Sequence, residues 1–265
     1  MIDKDLYKTL NDKLPIFFKS WWLDAVCEGG EWCAESHDIN GNIDSVFVYF
    51  IKKKFGLNYI VMPPLTQFLG EYYIVDNQID NKPISLSKRK EISNYFIELL
   101  PNTIFSTFCM GRYFKYWSPY FWKGFQQTTK YSYRISKELQ MSQIYSNFEY
   151  SKQKNIRKAE KVVTVEFDMS PEDFYEHHKR CLANQNRQIS YSYSVFNNIY
   201  KACKSNGNCR ILSAIDKEGN VQGALFVVWD DNSLYTLISS FPTEYRNFGS
   251  GDLLMYKAIE LAKMM

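Results

Sequence analysis

Short apolar runs bounded by turn residues set the pattern at the C-terminal end of the chain. Residues 210–215, 221–228 and 234–239 read as three successive strands. The segments Asp216-Lys217-Glu218-Gly219-Asn220 and Asp230-Asp231-Asn232-Ser233 separate them and are rich in turn formers. Along 234–239, alternation sets Tyr235, Leu237 and Ser239 against Leu234, Thr236 and Ile238. From 252 to 265 the period changes: Leu253, Leu254, Ala258, Ile259, Leu261 and Ala262 mark an amphipathic helix. Upstream, 162–167 reads as a strand, followed by helices over 171–184 and 192–204. Ser170-Pro171-Glu172-Asp173 gives the first of these a serine cap, an early proline and acids in its first turn.

The first part of the chain has a similar order. A helix is predicted over 14–26, with Pro15 near its start and Gly29-Gly30 beyond its end. Strands follow at 31–36, 43–52 and 57–62, with an Asn40-Gly41-Asn42 turn between the first two. Residues 87–100 read as a helix capped by Ser87 and stopped at Pro101, and 103–109 as a strand. The basic helical stretch 140–161 reads as a joint. The expected domains are therefore 1–140 and 141–265.

Between the third strand and the last helix lies Tyr245-Arg246-Asn247-Phe248-Gly249-Ser250-Gly251. A glycine loop opening a helix is an anion site in waiting. Its N–H groups are unsatisfied, the helix dipole favours negative charge, and missing side chains let a phosphate approach. A side chain at 249 is expected to fill the phosphate position and leave the fold largely intact. The segment is neither a P-loop, since no Gly-Lys-Ser/Thr follows, nor a dinucleotide fingerprint, since the third glycine is missing.

Arg246, Gly249 and Gly251 after a three-strand meander resemble the Gln/Arg-x-x-Gly-x-Gly/Ala motif of the GCN5-related N-acetyltransferase superfamily. That resemblance implies a loop that cradles the pyrophosphate of coenzyme A. A divergent copy in front of it resembles the tandem arrangement of the FemAB family. The basic run 155–161, the Trp21-Trp22 pair and the Met62-Pro63-Pro64-Leu65-Thr66 turn are similar to features of that family. The resemblance implies a mixed α/β chain of two acetyltransferase-like lobes, each a mostly antiparallel sheet flanked by helices. It also implies a bacterial acyltransferase that builds peptidoglycan cross-bridges. The donor would be acyl-coenzyme A or aminoacyl-tRNA, and the acceptor a small-molecule or peptidoglycan-precursor amine. The family fold continues past the loop helix with a fifth strand, a helix and two more strands, whereas this sequence stops at Met265. The second lobe is thus expected to lack its C-terminal strands and to expose 234–239 as an edge, which favours a homodimer. A non-catalytic binding or assembly module is the alternative reading.

Acyl transfer from a thioester to an amine needs phosphate anchoring, a donor to the developing oxyanion, a base and an acid. Anchoring is assigned to Arg246, Phe248, Gly249, Ser250, Gly251 and Asp252, and the oxyanion donor to a backbone N–H around Ser239. Tyr245 or Tyr235 is the candidate acid, and Glu244 the nearest candidate base. His177 and His178 are adjacent on a helix and cannot serve one metal from one face, so they are read as surface histidines. Trp21-Trp22 and the aromatic block 113–122 are read as core or as stacking surfaces. The 62–70 loop is a candidate wall of an acceptor cleft.

Composition adds limits. The 265 residues are 45% hydrophobic and 17% aromatic, which excludes a disordered chain. A net charge of +3 is too small to argue for nucleic acid. The cysteines, Cys27, Cys33, Cys109, Cys181, Cys203 and Cys209, show no metal-ligand spacing, and no metal is expected. Reduced thiols and the lack of a targeting segment suggest the cytoplasm. No apolar run reaches membrane-spanning length, so no stable insertion is expected.

Overall fold

The computed structural model describes residues 1–39, 41–74 and 84–265. It divides into two compact units, Met1–Lys130 and Tyr131–Met265.

In the first unit, helices α1 (Lys4–Lys8) and α2 (Ser20–Val26) precede strands β1 (Glu31–Ile39), β2 (Asn42–Lys54), β3 (Leu57–Val61) and β4 (Glu71–Tyr73). Helix α3 (Leu86–Leu99), strand β5 (Phe105–Ser106) and helix α4 (Ser118–Trp122) follow. The sheet runs β1-β2-β3-β5, and β4 joins β2. Its pairs are antiparallel except β3–β5.

The helix expected over 14–26 is broken. Ile16–Phe18 forms a 3-10 turn, Lys19 is extended at ψ 137°, and α2 starts only at Ser20. Competing bonds hold the break: the Tyr7 hydroxyl donates to the Phe18 carbonyl at 2.7 Å, and the Ser20 N–H donates to Asn11 Oδ1 at 2.8 Å. Ser85, not Ser87, caps α3, accepting from the Lys88 N–H. Leu100 turns extended ahead of Pro101, as a residue before proline should. The strand expected over 103–109 is only Phe105–Ser106, with a further single bridge from Cys109 to Leu69. Of the predicted 40–42 turn, Asn40 lies outside the described residues; Gly41 has φ +81°.

The aromatic residues mostly fill this unit's core. Trp22 is buried against Phe17, and its Nε1–H donates to Thr66 Oγ1 at 3.1 Å, which fastens the proline turn. Trp117 stacks on Tyr120, while Phe121 and Trp122 remain exposed. Within the core sits Glu71, 3% exposed. Burial pushes its pKa up, and hydroxyls oppose that shift by donating to it: Tyr120 at 2.6 Å, Ser93 at 2.9 Å, and Tyr73.

The second unit contains α5 (Met141–Ser146), α6 (Tyr150–Ala159), β6 (Val163–Glu166), α7 (Pro171–Ala183), α8 (Tyr193–Ser205), β7 (Cys209–Asp216), β8 (Val221–Asp230), β9 (Ser233–Ser240) and α9 (Ser250–Met264). The antiparallel order is β6-β7-β8-β9, so β9 is an edge strand of this sheet. One face, carrying Leu212, Leu225 and Val227, packs on Ile156 and Ala159 of α6 and on Leu253, Leu254 and Ala258 of α9. From the other face Phe226 meets Phe174 of α7 and Phe196 of α8.

A β-bulge corrects the alternation expected in β9. Ile238 pairs with Phe226 and Thr236 with Val227, which leaves Leu237 as the extra residue. Beyond the bulge the faces exchange. Tyr235, Ile238 and Ser240 share the α7–α8 face through their partners Val228, Phe226 and Ala224, and Ser239 turns to the other.

The Glu71 cluster gives a test of the first unit. Tyr120→Phe leaves one carboxylate oxygen without its donor, and should destabilise the unit by about 1.5–3 kcal/mol, measured by urea unfolding. A change below about 0.5 kcal/mol would show that this bond contributes little.

Candidate active site

At the end of β9 the chain turns through Phe241 and Pro242 into a 3-10 stretch, Thr243–Phe248, and then into α9. Gly249 makes the corner with φ +82°, a left-handed conformation that costs side-chain-bearing residues about 1–2 kcal/mol. A Cβ at 249 would lie 2.5 Å from the Asn155 carbonyl oxygen in α6. The glycine is therefore required by backbone packing against α6. This corrects the expectation that a side chain there would enter the phosphate position and spare the fold. A Cβ at Gly251 would meet only Phe241, at an ordinary 3.6 Å. The same ring lies 3.1 Å from where a Cβ of Gly223 would stand, so Gly223 opens its seat.

Side chains of the first turn of α9 point away from the helix start. The Ser250 hydroxyl donates to Gln222 Oε1 at 2.7 Å, and Gln222 Nε2 donates to Asp216 at 3.2 Å. Asp252 faces α6, with Lys152 Nζ at 3.1 Å and Asn155 Nδ2 at 2.7 Å. No side chain caps α9, and its first ladder bond runs from the Leu253 N–H to the Gly249 carbonyl. The N–H groups of Ser250, Gly251 and Asp252 precede that rung. From α6, Lys158 donates to the Asn247 carbonyl at 2.8 Å and stands 5.5 Å over the Phe248 ring. Part of the basic run thus docks on the loop, while Lys154, Arg157 and Lys161 are exposed.

The predicted residues fall into two groups. Glu244, Tyr245, Arg246, Phe248, Gly249, Ser250, Gly251 and Asp252 form one continuous turn; Arg246 and Glu244 are exposed, and Tyr245 packs edge-on to Phe248 at 6.0 Å. Ser239 lies just before it. Tyr235 stands apart: four residues of strand lie between it and Ser240, a span of about 17 Å at the extended rise.

Beside this turn lies a polar cluster that the histidine reading missed. His177 is 4% exposed rather than at the surface. Its Nε2 lies 3.1 Å from the Val221 carbonyl, which can only accept, so Nε2 carries the proton. Nδ1 then accepts from the Ser240 hydroxyl at 2.7 Å. Cys181 Sγ lies 3.2 Å from Ser240 Oγ. Burial lowers the His177 pKa. It raises that of Cys181, and the Glu244 carboxylate acts in the same direction on the thiol. The signal was present in the sequence: Phe174, His177 and Cys181 follow i, i+3, i+7 spacing on the buried face of α7. His178 is half-buried and stacked on Phe174, and burial with the His177 charge depresses its pKa to about 4.

Residues 146–264 match the family model "Acetyltransferase (GNAT) domain". Among solved structures, "Crystal structure of FemX" superposes with a TM-score of 0.67 at 12% identity, over 100% of this chain and 85% of that one. A search of curated proteins gives no match. The chain has a GNAT/FemAB-like fold, and the domain match supports a transferase.

The two glycines of the turn carry unequal weight in folding. Gly249→Ala should destabilise the second unit by about 2 kcal/mol or more, combining left-handed strain with the clash on Asn155. Gly251→Ala should leave stability unchanged or raise it by up to about 1 kcal/mol, because alanine favours the helix. Equal losses in chemical denaturation would refute this division.

The second unit should also weaken in acid. Both histidines have folded pKa values below the unfolded value, so the unfolded chain binds protons first as pH falls. Stability is complete above about pH 6.5 and declines toward pH 4, with His178 contributing at most about 3 kcal/mol. His178→Phe should flatten that decline in urea midpoints compared at pH 7 and 5.

Proposed function

We propose that this chain transfers an acyl or aminoacyl group to an amine acceptor, with the donor's phosphates held at the start of α9. The observation that carries this reading is the uncapped first turn. The Ser250 and Asp252 side chains are both committed elsewhere, to Gln222 and to α6, and the preceding glycine supplies none. An anion is the group such a helix end lacks. Arg246 and the docked basic helix supply positive charge, and Lys152 balances the Asp252 carboxylate. These residues fit a diphosphate such as that of acyl-coenzyme A.

The acceptor amine, in this reading, loses its proton toward Glu244, the exposed carboxylate on the turn. Tyr245 returns a proton to the leaving thiolate. The β9 end supplies a backbone N–H near Ser239 for the developing oxyanion. Distance leaves Tyr235 outside this arrangement. A peptidoglycan-precursor amine is the acceptor that the resemblance to the FemAB family suggests. The exposed Lys154, Arg157 and Lys161 favour a second donor, aminoacyl-tRNA, whose phosphate backbone suits a basic helix.

Calorimetric titration with coenzyme A and acetyl-coenzyme A tests the reading. Binding is expected at sub-millimolar ligand, weakened about tenfold in Arg246→Ala by loss of a charge-assisted bond. Gly251→Ala, which keeps the Gly-x-Gly/Ala pattern and turns its methyl onto Phe241, should bind like the parent. Absence of heat with the folded protein excludes the coenzyme; binding without transfer to any amine favours the non-catalytic module.

A further inference from the structure

The β2–β3 hairpin of the first unit carries an apolar apex that the fold does not use. Lys54 pairs with Leu57, so Phe55-Gly56 is a two-residue turn, with φ +51° and +77°. Such turns favour Asn-Gly, because both positions need left-handed backbone. A phenylalanine there strains the chain, and it is 89% exposed, so it returns no burial in the folded unit. Beside it Leu57 is 45% exposed, and Ile104 and Phe105, at the start of the neighbouring strand β5, are 66% and 56% exposed. Pairing holds them together: Phe105 faces Tyr59, and the Ile104 N–H donates to the Asn58 carbonyl at 3.0 Å. Lys52, Lys53 and Lys54 run into the apex, and the Lys54 ammonium stands 5.5 Å over the Phe55 ring. No Asp or Glu occurs in 51–60 or 101–110.

We propose that this hairpin apex docks the protein on an anionic lipid bilayer surface, with Phe55 and its apolar neighbours entering the headgroup layer and the lysines on acidic headgroups. A strained, exposed aromatic residue is accounted for by a surface that buries it outside the fold. The lysines, with no acid in either segment, select a negative partner. A single protruding residue suits a deformable interface. Two proteins would instead need about 800 Å² of matched surface per partner. Among the described residues no helix is long and apolar enough to cross a membrane, so the attachment proposed is peripheral. The inference is independent of the acyl-transfer reading.

Co-sedimentation of the full chain with vesicles decides it. Binding is expected to phosphatidylcholine vesicles containing phosphatidylglycerol, and to fall with salt and with removal of the acidic lipid. Phe55→Asn suits the left-handed turn, so it should melt no lower than the parent and bind about tenfold more weakly, having lost one apolar side chain from the interface. Lys53→Gln with Lys54→Gln should cost about 30-fold, the attraction of two lysines. The proposal is overturned if the parent chain ignores acidic vesicles at low salt, or if Phe55→Asn binds like the parent. It is equally overturned if gel filtration shows Phe55→Asn dissociating a dimer, which would make a second copy the occupant.

Discussion

The closest constraint in the second unit is the approach of two backbones at Gly249. Its α-carbon faces the Asn155 carbonyl of α6 so tightly that a methyl group would fall within 2.5 Å of the oxygen. Everything around the candidate site follows from that contact. It fixes the corner where the 3-10 stretch becomes α9, and it seats α6 across that corner. It brings Asn155 and Lys152 to Asp252, and Lys158 to the Asn247 carbonyl. A looser corner would let α6 drift outward and release the Asp252 carboxylate toward the helix start, where it would compete with any incoming anion.

Polar contacts buried under the sheet secure the other side of the turn. Ser240 closes β9 and is tied to His177 of α7, whose second nitrogen holds the first residue of β8. Ser250 opens α9 and is tied to Gln222, one residue further along β8. The two ends of the turn are therefore anchored to adjacent residues of one strand, Val221 through His177 and Gln222 directly. The exposed segment between them, with Glu244 and Arg246, is held at its ends and open to solvent in its middle. That division suits a binding loop on a rigid frame.

The strands and long helices were legible because their signals are local. Ser170-Pro171 marks α7, and the Ser170 hydroxyl accepts the expected N–H; the structure adds a like cap at Ser192 of α8. What escaped depends on partners distant in sequence. The break at Lys19 is set by Asn11 and Tyr7, and the bulge at Leu237 by register with β8. The turn around Gly249 is legible in the sequence, but the packing reason for its glycine lies in Asn155, far away along the chain. The histidines were misplaced because adjacency was weighed and the i, i+3, i+7 line through Phe174 and Cys181 was not. The Arg246–Asp252 turn is continuous in sequence, so its members read as one segment; His177, Gln222 and Asn155 reach it only through the fold.

How the helices begin bears on the proposal of an anion at α9. Helices α3, α7 and α8 each start under a serine hydroxyl, from Ser85, Ser170 and Ser192. In each, that oxygen takes an N–H that would otherwise be left to solvent, and so occupies the place of a ligand oxygen. Helix α9 is as long as any of them, and its dipole is as large, but it begins at a glycine that brings no acceptor. Ser250 could have served from one position later, and its hydroxyl is instead spent inward on Gln222. Helices α2, α4 and α6 also begin without a side-chain cap; what sets the α9 start apart is Lys158 of α6, which donates to the Asn247 carbonyl beside it. Supplying a serine there would test the point within the fold itself. Gly249→Ser, however, would meet Asn155 before it could cap, so the same contact that builds the corner also keeps it uncapped.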